Sequence, residues 1–382
     1  MINIEGKHAT AKIFAKTVDA AALEQIRELC DQSFIQGARI RVMPDTHAGK
    51  GCVIGTTMDI SDKVVPNLVG VDVGCGMLIT KLGIKKPTVD FSKLDDFIAG
   101  FIPHGFNIRE RPHPLAGSEE YRVNQVRMPL TNPSRIRKSL GTLGGGNHFI
   151  EMNEGSDGAI YLVIHSGSRN LGKQIADYYQ NKGYEELKTA AKEEIQRGLS
   201  TGIGKIDKHL AYVEGQTLED YLHDMKIAQQ FAALNRQAMA NDIIDQMGWN
   251  VLERWESVHN FIDMEKKILR KGATSAQEGE KVLIPINMRD GSIIAVGKGN
   301  PEWNHSAPHG AGRLMSRSQA QKNLRLEDFE QTMAGIWSRS VVASTLDEAP
   351  MAYKPMEEIL ENIHDTVEIL DIIKPIYNFK SR

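Results

Sequence analysis

Apolar residues follow two rhythms along this chain. Over residues 20–35, Leu23, Ile26 and Cys30 fall three and four apart, the spacing of one helical face. Short apolar runs at Arg39 to Val42, Cys52 to Thr57 and Met77 to Lys81, set apart by glycine-rich turns, predict strands. Ile160 to Ile164 is apolar at nearly every position, which predicts a strand buried on both faces and ending at His165. Two long stretches, 171–198 and 218–247, are rich in Ala, Glu, Gln and Lys and predict helices, with Gly202 and Gly204 marking the break between them. Strands are expected again near 281–297 and 340–344, and an amphipathic helix over 355–369. Strands and helices do not alternate strictly, so the expected fold class is α+β, layered rather than doubly wound. No repeat or Pro/Ser-rich linker divides the sequence, and residues 1–382 read as a single domain.

Composition adds exclusions. Hydrophobic content of 41% and charged content of 25% are those of an ordinary globular protein. No apolar run approaches the roughly 18 residues needed to cross a bilayer. The first eight residues lack a basic head and apolar stretch, so a cytoplasmic location is the default expectation. A formal net charge of −3 excludes a globally basic nucleic-acid coat. Any nucleic-acid site must be a local patch, with candidates at Arg109 and Arg111, at Arg135, Arg137 and Lys138, and at Lys266, Lys267, Arg270 and Lys271. Cys30, Cys52 and Cys75 fit neither a disulfide framework nor a paired zinc element.

The candidate chemistry lies in histidines beside glycines and strand ends. Of twelve histidines, His47, His148, His165, His259 and His309 have such placements. A lone histidine of this kind is usually a turn residue, but glycine allows a close approach of backbone or ligand, and five in one chain are harder to dismiss. In Val71-Asp72-Val73-Gly74-Cys75-Gly76 the carboxylate and the thiol are three apart in a glycine-bounded turn. Together with imidazoles they would make a mixed soft and hard site suited to zinc, manganese, iron or cobalt, although a capping Asp72 and a packed Cys75 would read the same. No P-loop and no strand-linked G-x-G-x-x-G is present. The loops Gly144-Gly145-Gly146-Asn147 and His309-Gly310-Ala311-Gly312-Arg313 could present backbone amides to phosphate, and an imidazole at such a loop could attack phosphorus.

The ordered set MPDTHAGKGCVIG, VGVDVGCG, GTLGGGNHF, VIHSGSRNLG, VHNF and SAPHGAGRLMSR, between Met43 and Arg317, resembles the RtcB family of GTP- and manganese-dependent RNA-splicing ligases. The resemblance implies a layered α+β domain of that family's type with a central metal-binding cleft. It implies two manganese ions held by Asp72, Cys75, His148, His165 and His259, with Cys75 bridging, and His309 as the residue that becomes guanylylated. Asn147, Phe149, Glu151, Asn260, Ser292, Ala311, Gly312, Arg313 and Lys380 would bind GTP. Arg169 would bind phosphate or RNA, and Asp45 and His47 would lie beside the metals in the same role. The implied substrates are RNA 3′-phosphate or 2′,3′-cyclic phosphate ends and 5′-hydroxyl ends, with a release-factor-like or archease-type helper as a further partner. The sequence departs from the family at Lys50 and Cys52, where an aromatic residue and a proline are common, and in ending Lys380-Ser381-Arg382 rather than Lys-Gly. It is similar to a compact bacterial subgroup. The alternative readings are a metal-dependent phosphoesterase that needs neither GTP nor His309, and a catalytically silent RNA-binding relative.

Overall fold

The long helix Gly215–Met247 explains how the two largest sheets' loops are held, and its core-facing side is not purely apolar. The computed structural model describes residues 1–197 and 207–381, so Gly198, Gly202 and Gly204 lie outside the described residues. One sheet has seven strands, all antiparallel, in the order Val251–Val258, Gly76–Leu82, Ile160–Ser166, Phe149–Glu154, Val367–Phe379, Gly291–Gly297 and Lys281–Asn287. A six-stranded sheet runs Ile2–Glu5, Thr10–Ile13, Ile40–His47, Ile54–Asp59, Ile268–Lys271 and Asn260–Asp263, with one parallel pair, Thr10–Ile13 beside Ile40–His47. Helices Arg169–Gln196 and Gly215–Met247 pack on each other, and the latter lies on the seven-stranded sheet. This is the expected α+β arrangement. Among the described residues no helix is long and apolar enough to cross a membrane.

The apolar run at Ile160 is a central strand with both faces covered. Leu78, Leu82, Leu162 and Ile164 pack with Met239 and Ile243 of the long helix. Their alternating neighbours Met77, Ile79, Tyr161 and Val163 pack against Leu283 and Ile294 on the other face. With a period of two and both faces buried, no polar alternation survives in the sequence.

At the end of these strands the helix turns polar. Asn235 and Arg236 are fully buried. Asn235 Oδ1 accepts from the backbone of Gly141 (2.8 Å) and Thr142 (3.0 Å), and its amide donates to the Thr142 carbonyl (3.0 Å) and to Ser166 Oγ (3.1 Å). Arg236 Nη1 donates to the carbonyls of Gly74 and Ser166, each at 2.8 Å, while Nε pairs with Glu256 at 3.0 Å. Buried loop backbone must find partners, and this helix supplies them.

Several sequence expectations shift. The first helix is Ala20–Cys30, started by Asp19, which accepts from Ala22 N at 2.8 Å, and Ser33–Ile35 is a separate 3₁₀ turn. The region 281–297 is a hairpin of two strands. No strand forms at 340–344. Ser340 exchanges hydrogen bonds with the Lys380 backbone, Thr345 Oγ1 accepts from Val342 N, and the chain enters a 3₁₀ helix at Ala343–Glu348. The helix expected over 355–369 stops at Ile363, and Val367–Phe379 is a strand of 13 residues. Its β-branched content favours a pleated, buried surface, and Pro375 is accommodated at a register shift between Pro375 and Tyr377. The basic run at Lys266 is not one continuous patch: Lys266 and Lys267 are exposed, but Arg270 and Lys271 are buried.

Replacing Asn235 with alanine strands several buried donors and acceptors at once. We expect Asn235→Ala to cost about 3 kcal/mol or more in chemical denaturation. A change at the exposed Lys192 should stay within about 0.5 kcal/mol.

Candidate functional site

Asp72 and Cys75 lie on the turn that enters strand Gly76–Leu82, and His165 lies near the end of its neighbour, opposite Met77. His148 immediately precedes strand Phe149–Glu154 and His259 immediately follows Val251–Val258, both in the same sheet. Four strand ends thus bring five separated residues together. The ligand-capable atoms of Cys75, His165 and His259 lie within 4.8 Å of one another, as do those of Asp72, Cys75 and His148, so Cys75 belongs to both groups. Cys75 Sγ is 3.3 Å from His165 Nε2 and 3.5 Å from His148 Nε2, and His148 Nε2 is 3.0 Å from Asp72 Oδ2.

The protons at this cluster face outward. His148 Nδ1 meets the Leu143 carbonyl at 3.0 Å and His165 Nδ1 meets that of Asn147 at 3.1 Å. A carbonyl only accepts, so each Nδ1 carries a hydrogen; His165 Nε2 then presents a lone pair to the cluster, while His148 Nε2 faces the Asp72 carboxylate. His165 Nε2 and His259 Nε2 are 3.3 Å apart, and the buried Nδ1 of His259 has no partner among the described residues. Burial holds His165 and His259 well below the ordinary imidazole range, reinforced by neighbouring histidines, so both stay neutral. Burial and then the Asp72 charge push the Cys75 thiol well up. Burial alone would raise Asp72, but its hydrogen bond to His148 and the charges of His148 and Arg169 win and bring it down to about 2. Converging neutral lone pairs, a carboxylate and a thiol costly to ionise without a cation fit divalent metal, which would stabilise the thiolate outright. Outer partners on the carbonyls fix ring orientation as metal-bound histidines require.

His309 stands beside this cluster, its ring centroid 4.8 Å from that of His259. The fully buried Asp45 carboxylate sits 2.6 Å from His309 Nδ1 and 3.1 Å from its backbone nitrogen. Gly312 permits this docking. It has φ +76°, and a Cβ there would lie 2.3 Å from the Asp45 carbonyl oxygen. His47, on the same strand, donates from Nδ1 to the Asp45 carbonyl at 3.1 Å. Burial lowers its tendency to protonate.

His47, His165 and His309 open onto a cleft with about 900 Å³ of empty space, part of it open to solvent. Asn147, Phe149, Glu151, Ala311, Gly312, Arg313 and Lys380 line it as well. Glu348 forms its charged wall, pairing with Lys380 (2.7 Å), Arg317 (2.7 Å) and Arg313 (3.4 Å) and accepting from the Tyr353 hydroxyl (2.8 Å). Burial works to raise Glu348, but the Lys380 and Arg317 charges outweigh it and keep the carboxyl low. Three cations against this carboxylate and Asp347 leave the wall suited to an anion. Deeper in, burial pushes Glu151 up to about 8 against the pull of Lys380. Glu151 Oε1 and Asn378 Oδ1 are buried without partners among the described residues, and both residues line the cleft.

The remaining expected residues lie elsewhere. Asn260 does not line the cleft; its amide bridges the Asp72 carbonyl (3.2 Å) and Gly272 N (2.8 Å), tying the ligand turn to the other sheet. Ser292 is buried next to the lining residue Gly291, its hydroxyl without a partner among the described residues. Arg169 and Asp72 line a second cleft with Arg135 and Lys173. Arg169 has φ +56°, a strained start for its helix, and its guanidinium fills the place a Cβ on Gly144 would take, 2.1 Å away. Of the basic candidates, Arg109 is spent on Asp242 (2.6 Å) and the Gly141 carbonyl, while Arg135 reaches a cleft. Glu348, Tyr353 and Asn378 were missed by sequence reasoning, since none stands in a recognisable motif, and Arg317 was given no role.

The sequence matches the family described as tRNA-splicing ligase RtcB over residues 25–381. It is 32% identical to the RNA-splicing ligase RtcB of Escherichia coli strain K12, with 97% of each chain covered. It is 28% identical to the tRNA-splicing ligase RtcB of Archaeoglobus fulgidus, covering 90% of this chain and 87% of that one. For that of Aeropyrum pernix the identity is 26%, over 91% of this chain and 90% of the relative.

Cys75 is the shared member of both candidate ligand groups, so Cys75→Ala should lower bound divalent metal sharply in elemental analysis after loading and desalting. Loss of a direct ligand is expected to exceed the roughly 10–100-fold weakening typical of outer-shell changes. Cys30→Ala and Cys52→Ala should load like the wild type. Full loading of Cys75→Ala would remove the thiol from the metal site.

Proposed function

Because the chain belongs to the RtcB family and is an RNA ligase, we propose that it uses GTP and two manganese ions to join RNA 3′-phosphate or 2′,3′-cyclic phosphate ends to 5′-hydroxyl ends through a guanylylated His309. The observation that carries the proposal is the His309–Asp45 pair. With Nδ1–H donated to a buried carboxylate, the imidazole is held in the tautomer whose Nε2 lone pair is free, and the positive ring formed on attack is stabilised in place. A phosphoesterase would use such a pair only to take a proton from water, so label retained on His309 separates the two readings.

Nε2 attacks the α-phosphorus of GTP; an N–P bond forms, the P–O bond to the β-phosphate breaks, and pyrophosphate leaves. An oxygen of the RNA 3′-phosphate then takes the guanylyl group, and the P–N electrons return to Nε2. The 5′-hydroxyl attacks the activated 3′-phosphorus, its proton departs, and GMP leaves. A cyclic phosphate end is first opened by water. Asp72, Cys75, His148, His165 and His259 would hold the ions, which when bound offset charge developing on phosphate oxygens.

The cleft supports the choice of nucleotide. Asn378 Oδ1 is a buried acceptor awaiting a donor, and the Glu151 carboxyl, its Oε1 also unpaired among the described residues, becomes a full acceptor on giving up the proton that burial favours; the guanine edge offers an N1–H and an exocyclic amine side by side. Adenine offers an acceptor at the first of these places. Arg313, Arg317 and Lys380 suit the phosphates, and Arg169, on the second cleft, suits an RNA phosphate.

With α-labelled GTP and Mn²⁺, the denatured wild-type protein should retain label that acid removes and alkali does not. His309→Ala should lose the label and the joining reaction while keeping its manganese and its melting transition; label that survives the substitution would sink the mechanism. Arg169→Ala should impair joining more than self-guanylylation. An equal loss in the two assays would put Arg169 on the nucleotide.

A further inference from the structure

The second cleft holds a feature the reaction outlined above does not use. Phe106 is 95% exposed and lies among its lining residues. An isolated exposed aromatic on a protein surface needs no explanation, but this one has a basic setting. Arg135, Arg169 and Lys173 line the same cleft, and Asp72 is the one carboxylate among the described residues that line it. The cleft therefore runs from Phe106 to a ligand of the metal cluster.

The ring also sits on a braced loop. The Phe106 carbonyl accepts from Arg135 Nη2 at 2.9 Å, Gly105 N donates to the Gly144 carbonyl at 2.8 Å, and Asn107 N closes a turn onto the His104 carbonyl at 3.2 Å. Gly144 belongs to the segment that carries Asn147 and His148, so the aromatic ring is tied to a loop that shapes the metal site. Val71, 39% exposed, adds a second apolar surface in the cleft. A flat apolar ring beside phosphate-binding cations is the combination that holds unpaired nucleotides, because every base has a π-face to stack and every linkage a charge to neutralise.

We propose that Phe106 is a stacking platform for an unpaired base at the RNA end bound against the metal cluster, with Arg135, Arg169 and Lys173 along its phosphates. The inference rests on the ligase reading above. It makes Phe106 a positioning residue that aligns the end for joining and selects single-stranded over paired ends.

The test uses full-length protein with Mn²⁺ and RNA carrying 2-aminopurine as its terminal base, at the 3′-phosphate end in one substrate and the 5′-hydroxyl end in another. Wild type and Phe106→Trp should quench the fluorophore in one of the two, identifying the end that stacks. Phe106→Leu, which keeps apolar bulk but not the ring, should not quench. It should raise KM for RNA by roughly 5- to 100-fold, with a smaller change in kcat. Self-guanylylation needs no RNA and reports on the fold. Label that falls in step with joining in Phe106→Leu would mean that the ring acts through the structure and would overturn the proposal. So would equal quenching by Phe106→Leu, quenching by none of the proteins, or an unchanged KM. A wild type that joins RNA while Phe106→Leu joins it identically overturns the role of Phe106 alone. A wild type that neither labels nor joins overturns the ligase reading and this inference together.

Discussion

The structure turns on the convergence of metal-capable side chains at Cys75. Three imidazoles, a carboxylate and a thiol are crowded together, and burial holds His165 and His259 neutral within the crowd. Such an arrangement is unfavourable unless a cation is shared among the donors. Much of the surrounding fold reads as the means of holding it. The ligands come from the ends or end-turns of four adjacent strands, whose alternation places His165 and Phe149 opposite each other. The helix bearing Asn235 and Arg236 satisfies the backbone where those strands stop.

Two clefts meet at this cluster, and their chemistry differs. The His309 side has buried orphan acceptors beside a cation-rich wall, which suits a base and its phosphates. The Arg169 side carries cations and an exposed ring, which suits a strand. Asp72 belongs to the second cleft and His165 to the first, so the candidate metal centre forms the wall between them. Two substrates that must meet at phosphorus could approach it from opposite sides without competing for the same surface.

The members of the cluster stood out in the sequence because each sits in or beside a glycine turn or at a strand end, and the family resemblance grouped them as candidate ligands, which the fold brings together. His309 was legible for the same reason, but its partnership with Asp45, 264 positions away, is a product of the fold. Glu348, Tyr353 and Asn378 sit in segments with no such pattern and reach the cleft only by tertiary placement. The first three residues of the long strand Val367–Phe379 were misread as helix because the amphipathic spacing of Met356–Ile363 runs on by chance into Val367 and Ile369. The buried Arg270 and Lys271 show the limit of reading charge from sequence. Lys271 donates to the carbonyls of Lys50 and Cys52, and burial lowers its pKa to about 8, so the second half of a basic run became internal scaffolding.

The central claim is that Asp45 fixes the His309 tautomer so that Nε2 attacks phosphorus. The most direct test is ³¹P NMR of the protein after reaction with GTP and Mn²⁺ at alkaline pH, combined with mass spectrometry of the peptide containing His309. The account predicts one phosphoramidate, carried on His309 and bonded through Nε2. An adduct through Nδ1, an adduct on another residue, or no adduct in a protein that still joins RNA would contradict it.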